Sequence, residues 1–175
     1  MRTLALALAV SALATGALAQ PTALKGPLAG VGFLVGAWKS GVGKVADTGG
    51  TSVGASDITV EADGKMLLRR DRTQTFNKVG RPAGAFHQIM LIYPEGGTLH
   101  ADYGDGEGHV IHYASAAITP GKSVVFTAPA EAAAPGFRLT YALASKTALK
   151  VEFGMLPPGG APFHEIATGV LHKAR

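Results

Sequence analysis

The chain has 175 residues, which suits one domain of ordinary size. Hydrophobic residues make up 47% and charged residues only 16%, and this excludes intrinsic disorder because such a chain can bury enough apolar surface to fold. The net charge is +4, but the Lys and Arg residues are scattered along the chain, which argues against a nucleic-acid-binding surface.

The amino-terminal residues have the pattern of an export signal. Arg2 supplies a positive charge, residues 4–13 are apolar, and Ala17-Leu18-Ala19 has the small-x-small pattern that signal peptidases cleave. We therefore expect residues 1–19 to be a signal peptide and the mature protein to be periplasmic or secreted. No later stretch is apolar enough for a membrane span, so no membrane association is expected after cleavage.

The absence of Cys narrows the chemistry that this chain can carry. Lipid attachment at a Cys after the cleavage site is excluded, and so are a disulfide-stabilised scaffold, thiolate catalysis and Cys-ligated zinc. A hydrophobic core of ordinary size must therefore hold the fold together.

Next in chain order, residues 20–32 are rich in Pro, Gly and Ala and predict a loose arm or one short helical turn. Beyond them, turn signals such as Asp63-Gly64 alternate with runs rich in Val, Ile, Thr, Tyr and Phe. About ten strands are predicted, at 34–46, 52–62, 65–77, 85–93, 98–103, 109–118, 122–128, 137–143, 148–155 and 163–173. We predict an all-β fold in which residues 33–175 form an antiparallel up-and-down β-barrel, because closure removes exposed sheet edges.

The third predicted strand carries charged residues on both faces. A turn at Asp63-Gly64 points Arg69 and Asp71 inward with the apolar residues, whereas a slip of one residue would turn Arg70 and Arg72 inward instead. An inward Arg beside an Asp either fills space as an ion pair or anchors the polar head of a ligand. Arg69 and Asp71 are therefore candidate ligand-binding residues.

The later strands predict a mostly apolar inner face. Two-residue loops at 95–96 and 120–121 fix which side chains share that face, with Ala117 among them. A barrel of ten strands is wider than the eight that side chains can fill, so a cavity is expected. Besides Arg69 and Asp71, the candidate ligand-binding residues of this cavity are Gln88, Met90, Tyr103, His109, Tyr113, Phe126, Tyr141 and Phe153. We expect the partner to be a small hydrophobic or amphipathic molecule, including one with an acidic head.

A set of metal-ligand residue types lies on the opposite face. A three-residue loop at 105–107 places His100 opposite His112, with Asp102 on the same face. Two imidazoles and a carboxylate can bind zinc, copper or iron. Because this face is predicted to meet solvent, the simpler interpretation is a set of surface polar residues with no metal.

The first and last predicted strands carry residues of a known motif. Gly36-Ala37-Trp38 opens the first strand and Lys173 lies in the last. This arrangement resembles the calycin superfamily of lipocalins and fatty-acid-binding proteins. The resemblance implies that Gly36, Trp38 and Lys173 close the barrel floor, with the basic side chain of Lys173, or otherwise Arg175, across the Trp ring.

Residues 34–43 also resemble the opening of nitrobindin-like haem-binding barrels, and residues 67–71, 93–94 and 100–103 are similar to secreted bacterial lipocalin-like proteins of unassigned function. The nitrobindin resemblance implies haem ligated by a His near the carboxyl end, for which His164 and His172 are the candidates by position. The main prediction is a binding protein without a cofactor. A haem-binding barrel and an enzyme that uses lumen residues are the alternatives.

Overall fold

The computed structural model describes residues 23–174. The predicted signal peptide, its cleavage site and Arg175 lie outside the described residues. No helix among residues 23–174 has the length and apolar character needed to cross a membrane.

The described residues form eleven strands, each antiparallel to the strands beside it. They are β1 (Gly36–Ser40), β2 (Gly43–Val45), β3 (Gly50–Glu61), β4 (Met66–Phe76), β5 (Pro82–Glu95), β6 (Thr98–Asp105), β7 (Val110–Thr119), β8 (Ser123–Ala128), β9 (Gly136–Ser145), β10 (Ala148–Leu156) and β11 (His164–Lys173). Three 3-10 helices accompany them, at Gly26–Leu34, Ala62–Gly64 and Pro158–Gly160.

The sheet closes because β1 and β2 each pair with β11 on one side and with β3 on the other. These two short strands are therefore the halves of one barrel strand, interrupted at Gly41-Val42, where the sequence predicted a single strand over 34–46. The backbone N–H of Gly41 still bonds to the carbonyl of Val170 at 2.9 Å, so the interruption is a local bulge. The predicted closed antiparallel barrel of ten strands is confirmed.

One end of the barrel is closed by the first 3-10 helix. This helix contacts β5, β6 and β7, and the carbonyl of Gly30 accepts a bond of 2.8 Å from the N–H of Gly121. Its fully buried side chains are Leu28, Val31 and Leu34. The sequence predicted only a loose arm or one turn over 20–32, because Pro and Gly obscure helical periodicity. We call this end, which includes the turn at 62–65, the closed end of the barrel.

Trp38 lies at the closed end and is 1% exposed. Its Nε1–H donates to the carbonyl of Leu34 at 2.8 Å, and Lys173 Nζ lies 5.4 Å from the ring centroid. Gly36 has φ +131°, and a Cβ there would lie 3.3 Å from Lys173 Cε. A glycine at this position therefore lets the lysine stem reach the ring, and the contact between Trp38 and the last strand is present as predicted.

The registers show which turns the sequence predicted correctly. The β3–β4 turn has the predicted register, with Ile58 opposite Arg69. The β5–β6 loop is Gly96-Gly97 instead of 95–96, which shifts the pairing by two residues and keeps the same inner face. The prediction for β7 was wrong near its end: a bulge between Ser115 and Ala117 turns Ile118 toward the core in place of Ala117.

The packed core fills the half of the barrel that adjoins the closed end. Apolar side chains from six strands meet the helix and Trp38 there, and each is at most 1% exposed. They are Ile58, Leu67, Met90, Ile92, Leu99, Ala101, Val124, Phe126 and Leu149. This layer forms the floor on which the site described below rests.

Candidate functional site

Above the packed core, the open half of the barrel contains a cavity of about 630 Å³. Its wall is unequal around the circumference. Aromatic side chains project from β5, β6, β7, β9 and β10, whereas β1, β2, β3 and β11 contribute no aromatic residue and mostly small ones beside Val45, Ile166 and Leu171. The small residues are Ser40, Gly43, Ser52, Gly54, Ala55, Ser56, Ala167 and Gly169. The cavity exists because these side chains are too small to meet the rings opposite them.

The deepest part of the cavity holds a cluster of three polar side chains, Arg69, Asp71 and Tyr141, which we call the deep polar cluster. Arg69 Nε–H donates to Asp71 Oδ2 at 2.7 Å, and the Nη2 group forms an ion pair with the same oxygen. Arg69 Nη1–H donates to the Tyr141 hydroxyl across the barrel and also contacts the sulfur of Met90 at 3.6 Å. The cluster thus links β4 to β9 directly above the apolar floor.

Burial and ion pairing shift the pKa of Arg69 in opposite directions. Desolvation disfavours the charged guanidinium, but the Asp71 carboxylate outweighs this effect and raises the pKa of Arg69 above its ordinary value. Burial also raises the pKa of Tyr141 to about 12, although the neighbouring Arg69 favours the phenolate. At neutral pH Arg69 is therefore a guanidinium and Tyr141 a neutral phenol.

Asp71 retains unused acceptor capacity. Its Oδ2 receives Arg69, whereas its Oδ1 is buried and has no hydrogen-bond partner among residues 23–174. A buried carboxylate oxygen without a donor is unusual in folded proteins, because the lost hydration is not replaced. The Asp71 side chain lines the cavity, but Oδ1 itself has almost no accessible surface, so a donor in the lumen supplies the missing bond only when the side chain turns toward it.

A second hydrogen-bonded chain runs along the cavity wall toward the open end and consists of Gln88, Tyr103, Asp105 and His109. We call it the rim network. Gln88 Nε2 donates to the Tyr103 hydroxyl at 2.9 Å, and that hydroxyl donates to Asp105 Oδ2 at 2.9 Å. His109 Nδ1 lies 3.0 Å from the same oxygen, and because a carboxylate only accepts, the proton is on Nδ1.

The rim network fixes the protonation of its own members. Burial and the bond to Asp105 raise the pKa of Tyr103, so this phenol stays neutral. Burial alone would raise the pKa of Asp105, but hydrogen bonds from the N–H and ring of His109 and from Tyr103 outweigh it and hold that pKa below its ordinary value. Asp105 is therefore a carboxylate at the cavity wall.

The cavity carries an excess of negative charge. The charged side chains that line it are Arg69, Asp71, Asp105 and Glu107. One cation and three carboxylates give a formal charge of −2 when His109 is neutral. An Arg in an apolar cavity suggested an acidic ligand from the sequence, but here the only lining guanidinium among the described residues is already paired with Asp71.

Most of the predicted ligand-binding residues reach the cavity. Arg69, Asp71, Gln88, Tyr103, His109, Tyr113, Tyr141 and Phe153 line it. Met90 and Phe126 do not, because both are fully buried in the floor. Their strands point inward as predicted, but they lie at the depth where the closed-end core leaves no space. A role in ligand binding for the eight lining residues stays a prediction.

The candidate metal residues do not converge in the predicted way. His112 faces Asp102 instead of His100, because the β6–β7 connection is longer than three residues. His112 Nδ1 bonds to Asp102 Oδ1 at 2.8 Å, while the His100 ring stacks on Tyr93 with centroids 5.9 Å apart. Within the described range, one set of three possible metal ligands lies close together, namely Asp105, Glu107 and His109. Both carboxylate oxygens of Asp105 already accept hydrogen bonds there.

The two haem candidates lie away from the cavity. His164 is exposed and bonds through Nε2 to Asp47 Oδ1 at 2.6 Å, and His172 is exposed on β11. Neither residue lines the lumen, so neither can ligate a haem bound there. The residues present do not fit the haem arrangement that the nitrobindin resemblance implied.

No protein-family model and no curated protein sequence matches this chain. The function therefore rests on the geometry of the cavity. Sequence reasoning missed Asp105 and the small-residue side of the wall. A signal for Asp105 was present, because an Asp in a turn commonly accepts from the backbone N–H two residues on, as it does here from Glu107 at 3.0 Å; it also accepts from the N–H of His109 at 3.0 Å.

Proposed function

We propose that this chain is a binding protein that holds a small amphipathic molecule in the open half of the barrel. The observation that carries the proposal is a cavity of about 630 Å³ that rests on a sealed apolar floor and has one polar cluster at its deep end. Ligand sites in proteins have volumes of roughly 300–1,000 Å³ and combine an apolar wall with a few polar groups. The aromatic side of this wall suits the apolar part of such a molecule.

We also propose that the barrel is of the calycin type and acts outside the cytoplasm. The contact of Lys173 with Trp38 beside Gly36 supports the first part, because it is the floor closure that the calycin resemblance implies. The signal-like pattern of residues 1–19 supports the second.

The enzyme alternative has less support in the geometry. Proton transfer requires an acid or base that is free to act on a substrate at one point of the cavity. The acid-base groups facing the lumen instead bond to one another, as Arg69 does with Asp71 and His109 with Asp105. The bond to Asp105 leaves His109 Nε2 free, but no hydroxyl among the described residues is hydrogen-bonded to that nitrogen, so the geometry shows no activated nucleophile and binding is the function that we favour.

The experiment that tests the proposal fills the cavity from its small-residue side. Ala167 on β11 lines the lumen, whereas Val170 on the same strand points outward and is 36% exposed. Ala167→Phe adds a ring to the cavity, and Val170→Phe is the matched control that adds a similar ring to the outer face. Binding of decanol to each protein is measured by titration calorimetry, with unfolding by urea as the check that each variant folds.

We expect decanol to bind the wild type and Val170→Phe with similar affinity and Ala167→Phe at least about tenfold more weakly, since the ring occupies the space of several methylene groups. Equal affinity for all three proteins would place the binding outside the lumen and overturn the proposal. Failure of the wild type to bind decanol, decanoate or decylamine would overturn it as well.

A further inference from the structure

The deep polar cluster restricts the charge that a ligand can bring to the floor of the cavity. A carboxylate head placed there would lie beside Asp71 and would have to compete with it for Arg69, whose Nε and Nη2 groups already bond to Asp71. An ammonium head would lie beside the guanidinium of Arg69. In a buried site either like-charge contact is costly, because little solvent screens it.

The cluster accommodates an uncharged donor more easily. Arg69 and Asp71 have opposite charges, so together they carry no net charge that would attract an ion. Asp71 Oδ1 lacks a hydrogen-bond partner among the residues that the structure describes, and once the side chain turns toward the lumen a hydroxyl or amide N–H supplies one without adding charge. The remaining charged groups of the lumen, Asp105 and Glu107, are both acidic and oppose the entry of anions.

We infer that the ligand has an uncharged, hydrogen-bond-donating head, such as a primary alcohol, which enters first and binds Asp71 above the floor while the apolar tail extends toward the open end. This inference rests on the proposed function and adds the class of head group and the orientation. The tail then lies along Leu139, Phe153 and Phe137, which line the cavity nearer its mouth.

The test compares three ligands that share one tail. Decanol, decylamine and decanoate differ only in the head, which is neutral, cationic and anionic at neutral pH. Each is titrated into the full chain, into Asp71→Asn and into Asp57→Asn. Asp57 on β3 is exposed and lies opposite Arg70 in the β3–β4 register, on the outer face of the sheet, so its replacement removes the same charge without touching the lumen.

We expect the wild type and Asp57→Asn to bind decanol at least about tenfold more tightly than decanoate or decylamine. Decanoate lacks the hydrogen bond that decanol donates to Asp71, and decylamine places its ammonium beside Arg69. In Asp71→Asn the guanidinium loses its counter-charge. Decanoate should then become the preferred ligand, and decanol should lose affinity.

The outcomes separate the inference from the proposed function. Tightest binding of decanoate or decylamine to the wild type, or equal binding of all three, would overturn the inference while leaving the lumen as the binding site. An unchanged preference in Asp71→Asn would also overturn it, because the head would then bind elsewhere in the cavity. If none of the three ligands binds any folded protein, the proposed function fails with it. Should Asp71→Asn fail to fold, Arg69→Gln replaces it: here the preference should move to decylamine, and an unchanged preference counts against the inference.

Discussion

The two halves of this barrel share strands, register and alternation, yet one half is packed and the other is hollow. Along β3 the inward residues change from Ile58 near the closed end to Ser56 and then Ser52 near the open end. Along β1 and β2 they change from Trp38 to Gly43. The difference shows that side-chain volume on a few strands, and not the backbone, decides where a ten-stranded barrel encloses space.

We expect the closed half to determine stability and, under the proposed function, the open half to bind the ligand. The closed half contains Trp38, the floor and the buried side chains of the first 3-10 helix. The open half contains the cavity and two pre-formed polar networks. Substitutions in the first should therefore change the free energy of unfolding, and substitutions in the second should mainly change ligand affinity.

The largest effect is expected from Trp38→Ala. The ring is 1% exposed and contacts the helix and Lys173, so its removal leaves a cavity in the floor that the surrounding strands cannot fill. We expect a loss of about 3–5 kcal/mol in the free energy of unfolding. Urea unfolding followed by circular dichroism measures it. Val42→Ala, at a residue 73% exposed in the β1–β2 bulge, is the control and should change stability by no more than about 0.5 kcal/mol. A loss of under about 1 kcal/mol for Trp38→Ala would show that the closed end is not the stable half.

How much of the fold and of the candidate site could be predicted depends on how far apart in the sequence the interacting residues are. The inward placement of Arg69 and Asp71 follows from one turn and strict alternation, and it was predicted correctly. The bond between Arg69 and Tyr141 joins residues 72 positions apart across the lumen, and it depends on barrel diameter and strand tilt. No local pattern carries that information.

The bulge in β7 and the first 3-10 helix could not be predicted from the alternation of apolar and polar residues. The bulge between Ser115 and Ala117 exchanges the inner and outer faces of β7, and nothing in a run of small residues signals it. The first 3-10 helix is stabilised by burial of its leucines and valine against the barrel, so its sequence alone suggested a loose arm. In both places tertiary contacts determine the local structure.

A smaller effect is expected at alkaline pH, and it tests the deep polar cluster from the stability side. Burial raises the pKa of Tyr141 from 10.0 to about 12, and it raises the pKa of Tyr113 as well. Between pH 10 and about pH 12, Tyr141 is deprotonated in the unfolded chain and protonated in the folded chain. The contribution of Tyr141 to the free energy of unfolding is therefore fully present below pH 10. It falls by about 2–3 kcal/mol as the pH rises toward 12.

The measurement is the free energy of unfolding between pH 9 and pH 12 for the wild type and Tyr141→Phe. The phenylalanine variant loses the bond to Arg69 and is less stable at neutral pH, but its stability should fall less steeply across this interval. Parallel curves would mean that Tyr141 titrates like a solvent-exposed phenol, and the floor beneath the cluster would then be open to water.

The smallest effect is expected at the open end itself, from His164→Ala. His164 Nε2 bonds to Asp47 Oδ1 at 2.6 Å, and this bond ties the start of β11 to the β2–β3 turn, but the two side chains are 52% and 47% exposed. Solvent and salt screen an exposed pair, so we expect a change of no more than about 0.5 kcal/mol in the free energy of unfolding, and less in high salt. Urea unfolding at low and high ionic strength measures it. A loss above about 1 kcal/mol that persists in high salt would mean that the loops of the open end stabilise the barrel as the closed end does, and the division of stability and binding between the two halves would not hold.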